Sequence, residues 1–164
     1  MIDRISKLVL VVGIACFFSI VVFNNLTDYG SNFAYVQHVL SMDTIFPEST
    51  LTWRALTSPR LHHWIFSGII VWEALTTGFC WIGAWRLFRA LKADAESFNA
   101  AKSPIVIGLT ASCWLWLFGF LGIGGEWFVM WQSPDWNGQP IAFQMFVVTS
   151  IILLWVRQPD SNLA

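Results

Sequence analysis

Charged side chains are scarce in this chain: Lys, Arg, Asp and Glu make up 12% of its 164 residues, about half of the usual share in a soluble domain. The net charge is −1, which excludes the basic surface typical of nucleic-acid binding. There are only three cysteines and no CxxC pair, so neither a disulfide framework nor a zinc-binding motif is indicated. Phosphate-binding loops, HExxH motifs and nucleophile elbows are also missing. These absences argue against a soluble enzyme.

Apolar residues are abundant instead. They form 56% of the chain, which also has 11 tryptophans. A helix needs about 20 apolar residues to cross the hydrocarbon core of a bilayer. Four stretches approach or exceed that length, at about 8–24, 64–86, 105–131 and 140–157. The chain is therefore predicted to be an all-α membrane protein, with a single domain over residues 1–164 that forms a bundle of four transmembrane helices.

The positive charges predict how the bundle is oriented. Seven of the nine Lys and Arg residues fall on one side of the predicted spans: Arg4, Lys7, Arg86, Arg89, Lys92, Lys102 and Arg157. Because positive segments stay in the cytoplasm, both termini and the inner loop 87–104 are predicted to be cytoplasmic. The outer loops are then 25–63 and 132–139. This is the topology of a multi-pass protein of the bacterial inner membrane.

The long first outer loop is predicted to be partly helical. Its segment 32–42 has apolar residues at helical spacing, and 50–56 is a second candidate short helix that ends before Pro59. The inner loop is predicted to continue the second span as a helix until the turn at Ser103 and Pro104. The chain has no internal repeat, which argues against an inverted-repeat transporter.

Two carboxylates lie inside predicted spans. A charge at mid-bilayer depth costs about 2.5–3.5 kcal/mol or more, so Glu73 and Glu126 must be neutral, paired or in contact with water. Small and polar residues recur at helical spacing beside both, so both are expected to point between helices. Glu73, Glu126 and Thr77 are candidates for a ligand site or a proton relay; the alternative is that neighbouring helices simply satisfy them. The glycines at 122–125 are expected to kink the third span rather than to form a bulge.

The remaining candidates for chemistry belong to the outer face: His38, Asp43, Arg54, Arg60, His62 and His63. The histidines could instead anchor the start of the second span. The arginines could pair with loop carboxylates or bind an anion or a lipid headgroup. No predicted span has a histidine in its interior, which disfavours a haem held by two histidines. Neither a metal nor another cofactor is expected. The cysteines, Cys16, Cys80 and Cys113, are expected to be buried apolar residues.

The outer-loop sequences 24–29 (NNLTDY), 36–44 (VQHVLSMDT) and 61–63 (LHH) are distinctive. Together with Trp53-Arg54-Ala55 and Glu73-Ala74-Leu75, they resemble a bacterial family of predicted small integral membrane proteins, catalogued as domain of unknown function 2165. The resemblance covers nearly the whole chain. It implies a four-span inner-membrane protein, and it supplies no catalytic residue. It also implies that the outer loop has a specific rather than a generic sequence.

Three functions are compatible with these patterns. The first is a non-enzymatic accessory or interaction subunit of a larger membrane complex, with lipid and either other membrane-protein subunits or a second copy as partners. The second is an oligomeric permease for small solutes or ions that uses the intramembrane carboxylates. The third is a protein that binds a quinone, a lipid or a metal at the periplasmic face.

Overall fold

The computed structural model describes residues 1–162, and within that range it contains helices and turns but no strand. The helices are α1 (Ile2–Thr27), α2 (Tyr29–Ser41), α3 (Pro59–Ala90), α4 (Ala95–Ala101), α5 (Ser103–Trp114) and α6 (Gln139–Arg157). A π-helical segment, Leu115–Trp127, continues α5, and 3₁₀ turns lie at Thr52–Arg54 and Met130–Gln132. Four helical stretches are long and apolar enough to cross a membrane, which confirms the predicted fold class.

The four spans pack in sequence order, with α1 against α3, α3 against α5, and α6 against α5 and its π segment. Both termini lie at one end of the bundle, since the Arg4 guanidinium donates hydrogen bonds to the carbonyls of Leu91, Ala93 and Ser161. We call this end, with α4, the termini end. The opposite end, with α2 and the connections 42–58 and 128–138, is the cap end. The cytoplasmic placement of the termini end stays a prediction.

Several predicted boundaries shift. The helix that contains the second predicted span begins at Pro59, five residues before the predicted span, because proline fits the first turn of a helix, where its missing N–H is not needed. In the outer loop, α2 confirms the predicted first helix, whereas 50–56 contains only a 3₁₀ turn. The inner loop does not extend α3 to Ser103: α3 ends at Ala90, and the Asp94 side chain caps a separate helix by accepting the Ser97 amide hydrogen.

Two apolar cores hold the bundle together, one toward each end. Residues from all four spans and α4 form the core near the termini end: Val11, Ile14, Ala15, Phe18, Cys80, Ala84, Leu87, Phe98, Ile105, Leu109 and Val156. The core near the cap end is formed by α2, the start of α3 and the chain beyond the π segment: Val36, Val39, Leu40, Met42, Phe66, Ile70, Phe128, Val129 and Met130. The loop that precedes the second span is therefore a packed part of the fold.

Glycine sets the distance between α3 and α5. A Cβ atom on Gly83 would lie 2.5 Å from the Ile105 Cβ and 2.8 Å from the Ile105 backbone nitrogen. Close backbone approach through small residues is how helices associate in lipid. The small residues predicted to face a neighbouring helix also meet at this crossing, since a Cβ atom on Gly108 of α5 would lie 3.0 Å from the Cys80 sulfur of α3. Gly83 was not among the predicted residues.

The glycine-rich end of the third span is a π-helix, which is wider than an α-helix. The segment extends over 13 residues, whereas π-helices usually occur as a single turn and often mark functional sites. This conformation is closer to the bulge than to the simple kink expected for the glycines at 122–125. Gly119, Gly122, Gly124 and Gly125 all lie in this segment, where the absence of side chains leaves room for the wider turn.

Cysteine burial also differs from the prediction. Cys80 is buried, Cys113 is half-buried and Cys16 is exposed on the outside of the bundle. The prediction of a buried apolar residue is correct for Cys80 alone. Cys16 lies within α1, one of the four helices that are long and apolar enough to cross a membrane.

Candidate functional site

The buried carboxyl of Glu73 lies between α1 and α3, as the sequence predicted. Its Oε2 accepts a hydrogen bond of 2.7 Å from the Asn25 side-chain amide, and the residue is 9% exposed. A void of about 10 Å³ adjoins it, which is about the space that one water molecule needs. The Thr76 hydroxyl, which borders the same void, has no hydrogen-bond partner. Thr77 is not part of this group, because its hydroxyl donates to the Glu73 backbone carbonyl at 2.7 Å.

Glu126 does not point between helices. It is exposed, and its Oε1 lies 3.4 Å from the Gln139 side-chain amide in a shallow groove between the π segment and α6. The small and polar residues of the third span that were expected to face other helices do so as far as Ser112, which is buried. Beyond Ser112, the predicted spacing no longer identifies the buried side of the span. The cause is the π segment, whose hydrogen bonds span five residues instead of four, so a spacing of four no longer keeps residues on one face.

The three histidines occupy three separate environments at the cap end. His38 pairs with Asp43 at 2.9 Å and stacks on the Trp136 ring at 4.5 Å. His62 is buried within α3, where its Nε2 lies 2.7 Å from the Leu56 carbonyl oxygen. These two contacts tie the outer loop to the bundle.

His63 belongs to an aromatic layer between α2 and α3. Its ring stacks on Phe33 at 4.0 Å, and its Nδ1 lies 2.8 Å from the Tyr29 hydroxyl. Tyr29 and Phe33 in turn pack against Phe66. In residues 1–162 no group of three His, Cys, Asp or Glu side chains is arranged to hold a metal ion.

The two outer arginines do not act as counter-charges. The Arg54 guanidinium lies over the rings of Trp53 and Trp127 and donates to the Trp127 carbonyl at 3.1 Å. Arg60 is exposed at the start of α3. In the part of the chain that the structure describes, neither has a carboxylate within ion-pair distance, so the expected pairing with loop carboxylates is wrong.

An apolar cavity of about 210 Å³ lies beneath the cap. Its walls come from α2, the first turns of α3 and the π segment: Tyr35, Val36, Val39, Leu40, Ile65, Ile69, Leu115, Gly119, Phe120, Ile123, Gly124, Phe128 and Met130. It is half open to the surroundings of the bundle. Leu115 borders both this cavity and the void beside Glu73.

One polar group, the Tyr35 hydroxyl, belongs to the cavity wall. It donates to the Met130 sulfur at 3.2 Å, and burial raises the pKa of Tyr35 to about 12 despite a hydrogen bond with the Gly138 backbone. A Cβ atom on Gly138 would overlap this hydroxyl. Tyr35 was not among the predicted site residues. The sequence features that relate to this cavity are the apolar face of 32–42 and the glycine-rich end of the third span, and neither predicts a cavity volume.

Comparison with known proteins agrees with this architecture. No curated protein and no solved structure is significantly similar to the chain. The sequence profile of one family, described as "Predicted small integral membrane protein (DUF2165)", matches residues 3–159. With that match over nearly its full length and four helices able to cross a bilayer, the chain belongs to this family of small integral membrane proteins.

Proposed function

We propose that this protein is a non-enzymatic membrane protein that binds one aliphatic chain, from a lipid or an isoprenoid, in the cavity beneath the cap. The observation that carries the proposal is the half-open apolar cavity of about 210 Å³ between α2, α3 and the π segment. An apolar cavity of about 150 Å³ is enough to bind benzene and exclude water. The cavity here therefore has room for a stretch of hydrocarbon.

The position of the cavity favours a chain that comes from the membrane. Ile65 and Ile69 lie in the second span, and Leu115 and Ile123 lie in the third. Water inside such a cavity would find almost no hydrogen-bond partner, because the walls are apolar except for Tyr35. Hydrocarbon loses no hydrogen bonds there and gains the dispersion contacts that an empty wall lacks.

The π segment supplies the space. Gly119 and Gly124 line the cavity without side chains. An added Cβ at Gly119 would meet only the Leu115 side chain, at 3.2 Å. At Gly124 it would meet the Met130 side chain and a backbone oxygen 3.7 Å away. Larger residues here would fill the cavity from within, so these two glycines are where the proposal can be tested.

The other two predicted functions have less support. For a permease, the void at Glu73 is about 10 Å³, smaller than a path for a solute, and Glu126 faces a different groove. For an accessory subunit, tryptophans such as Trp64 (76% exposed) and Trp53 (70% exposed) project from the bundle. Lipid would cover such residues as well as a partner would, so that role stays a prediction.

The test measures what the purified protein retains. We expect wild-type protein, extracted in mild detergent and washed, to keep a lipid or isoprenoid that mass spectrometry identifies after denaturation. The variant Gly119→Leu should lose most of it. Gly78→Leu is the matched control, because Gly78 lies on the exposed face of α3 with no atom near its Cβ position. The mass of the retained molecule distinguishes an acyl chain from an isoprenoid.

A second variant guards against the first one failing to fold. Ile69→Ala enlarges the cavity, and the enlarged cavity should retain a bulkier or longer chain than the wild-type protein does. The proposal is wrong if folded wild-type protein keeps no aliphatic molecule. It is equally wrong if Gly119→Leu and Gly78→Leu retain the same amount as wild type.

A further inference from the structure

The termini end holds three buried cations. Lys7 and Lys102 each place their Nζ atom 2.5 Å from the same oxygen of the Asp160 carboxylate. The Arg4 guanidinium lies over the Phe98 ring and donates to three backbone carbonyls. Arg4, Lys7 and Lys102 are 1%, 2% and 5% exposed. Side chains of this kind are almost never so enclosed unless they are paired.

Their charges are not balanced by what surrounds them. Asp160 is the only carboxylate that forms an ion pair with these cations in residues 1–162. The other acceptors are neutral oxygens, such as the Gln158 carbonyl for Lys7 and the Asn99 side chain for Lys102. Within residues 1–162, the cluster therefore holds two more positive charges than negative ones. Because a buried charge without a partner is strongly unfavourable, an additional anion at this position would be stabilising.

A polar cavity of about 170 Å³ adjoins the cluster. It is bordered by Asp3, Arg4, Lys7, Trp155 and the chain from Gln158 to Asn162. Arg4 borders this cavity, and its Nε is buried and has no hydrogen-bond partner in the described residues. A water molecule takes about 30 Å³ of liquid volume, so the cavity has room for a group of several heavy atoms.

We propose that this cavity binds a phosphate group, with Arg4 and Lys7 as its main cationic contacts. A guanidinium and an ammonium are the usual protein partners of phosphate oxygens. The cavity lies where α1 begins and α6 ends, which is the depth of lipid headgroups. The phosphate can come from an anionic phospholipid or from a free phosphate ion, and the two sources share this chemistry.

The binding measurement uses full-length protein stripped of lipid in neutral detergent. Phosphatidylglycerol is titrated and the bound protein is counted by native mass spectrometry, with phosphatidylcholine as the neutral comparison. If the phosphate belongs to a lipid, phosphatidylglycerol should bind at least about tenfold more tightly than phosphatidylcholine. A tenfold difference in affinity corresponds to about 1.4 kcal/mol of binding free energy. If it is a free ion, inorganic phosphate should raise the melting temperature and compete with the lipid.

Two variants locate the site. Arg4→Gln removes a cation and should weaken binding about tenfold or more. Asp3→Asn should strengthen it by about threefold, because it removes a negative charge from the cavity border. Asp3 is exposed in the first turn of α1, so this change leaves the packed interior intact and keeps the test valid where Arg4→Gln does not fold.

Arg89→Gln is the matched control, since Arg89 is exposed at the same end of α3 and does not border the cavity. It changes the net charge as Arg4→Gln does and should leave the affinity within about twofold. The proposal fails if neither phosphatidylglycerol nor phosphate binds to folded protein. It also fails if Asp3→Asn leaves the affinity unchanged, because the phosphate would then lie away from this cavity. It fails as well if Arg89→Gln weakens binding as much as Arg4→Gln does, because binding would then reflect the overall charge of the protein surface.

Discussion

The two ends of the bundle are built from different interactions. At the termini end, charged side chains connect the chain segments. The Asp160 carboxylate accepts hydrogen bonds from Lys7 and Lys102, and the Arg4 guanidinium donates to three backbone carbonyls in two segments. At the cap end, α2 is held by apolar packing and stacked rings, with Phe33 on His63 and His38 on Trp136. Both ends contain a cavity, a polar one beside the charged cluster and an apolar one beneath the cap. Each cavity therefore has the chemical character of the interactions that surround it.

The sharpest way to break the termini end is to remove its one paired carboxylate. Asp160→Asn leaves Lys7 and Lys102 buried without a counter-charge, and such a loss costs about 3 kcal/mol or more. Reversible unfolding in mixed detergent micelles should show this loss of stability. The control Asp3→Asn removes an exposed carboxylate at the same end and should change stability by less than about 0.5 kcal/mol.

Low pH should remove the stabilisation that the same carboxylate, Asp160, provides. Burial favours the neutral form of Asp160, but hydrogen bonds and charges from Lys102 and Lys7 outweigh burial and lower its pKa below the ordinary 3.8. A lowered pKa in the folded state means that Asp160 stabilises the fold above about pH 4 and loses this contribution as the pH falls further. Melting temperature measured against pH should therefore fall below about pH 4 in wild type, and this part of the fall should be absent in Asp160→Asn.

Glycine substitutions can measure how tightly the bundle is packed at the contact between α3 and α5 and beside the apolar cavity. Gly83→Ala forces a methyl group into the Ile105 backbone and should cost about 2 kcal/mol. Gly124→Ala, beside the apolar cavity, meets the flexible Met130 side chain at 3.3 Å and should cost less than half as much. Gly78→Ala, with no atom near the added group, should be neutral or slightly stabilising. Equal costs for the first two variants would contradict the difference in packing.

Between the two ends, the contact between Asn25 and Glu73 is expected to contribute about 1.5 kcal/mol, since its loss leaves a buried polar group unsatisfied. Asn25→Ala tests this by unfolding in the same micelles. The control is Asn24→Ala, because the neighbouring Asn24 is exposed and its side chain has no comparable partner. No difference between the two variants would mean that a water molecule replaces the Asn25 amide.

The smallest effect is expected from the ion pair of the cap. His38 and Asp43 are partly exposed, with 33% and 46% of their side chains accessible, and exposed pairs contribute about 0–1 kcal/mol. Asp43→Asn should lower stability by about 0.5 kcal/mol at pH 6. Glu48→Gln, an exposed carboxylate of the same loop, is the comparison. A loss above about 2 kcal/mol would show that charge also holds the cap.

Much of the fold follows from hydropathy and spacing, because both act locally along the chain. The four spans and the inward position of Glu73 could be predicted since apolar length and a repeat of four residues determine them. Glu126 could not, because the repeat of four ceases to describe one face once the π segment begins. The buried position of His62 was missed because Pro59 starts the helix earlier than the apolar run does.

The two candidate sites could not be predicted from local sequence patterns, because each joins residues that are far apart in the sequence. The apolar cavity exists only because α2 packs against α3, some 30 residues away in sequence, and the cation cluster joins residues 4, 7, 102 and 160. The sequence showed each contributor, as a basic residue near a span end or an apolar helix face. It did not show which of them meet.

The wide turn of the third span also affects how that span would respond to length changes. In an α-helix, deleting one residue rotates everything that follows by about 100° around the axis. Over Leu115–Trp127, a deletion can instead convert one π turn to an α turn, so the angular position of the cap beyond it is preserved. This stretch can therefore accommodate single-residue deletions that would misplace side chains elsewhere in the bundle.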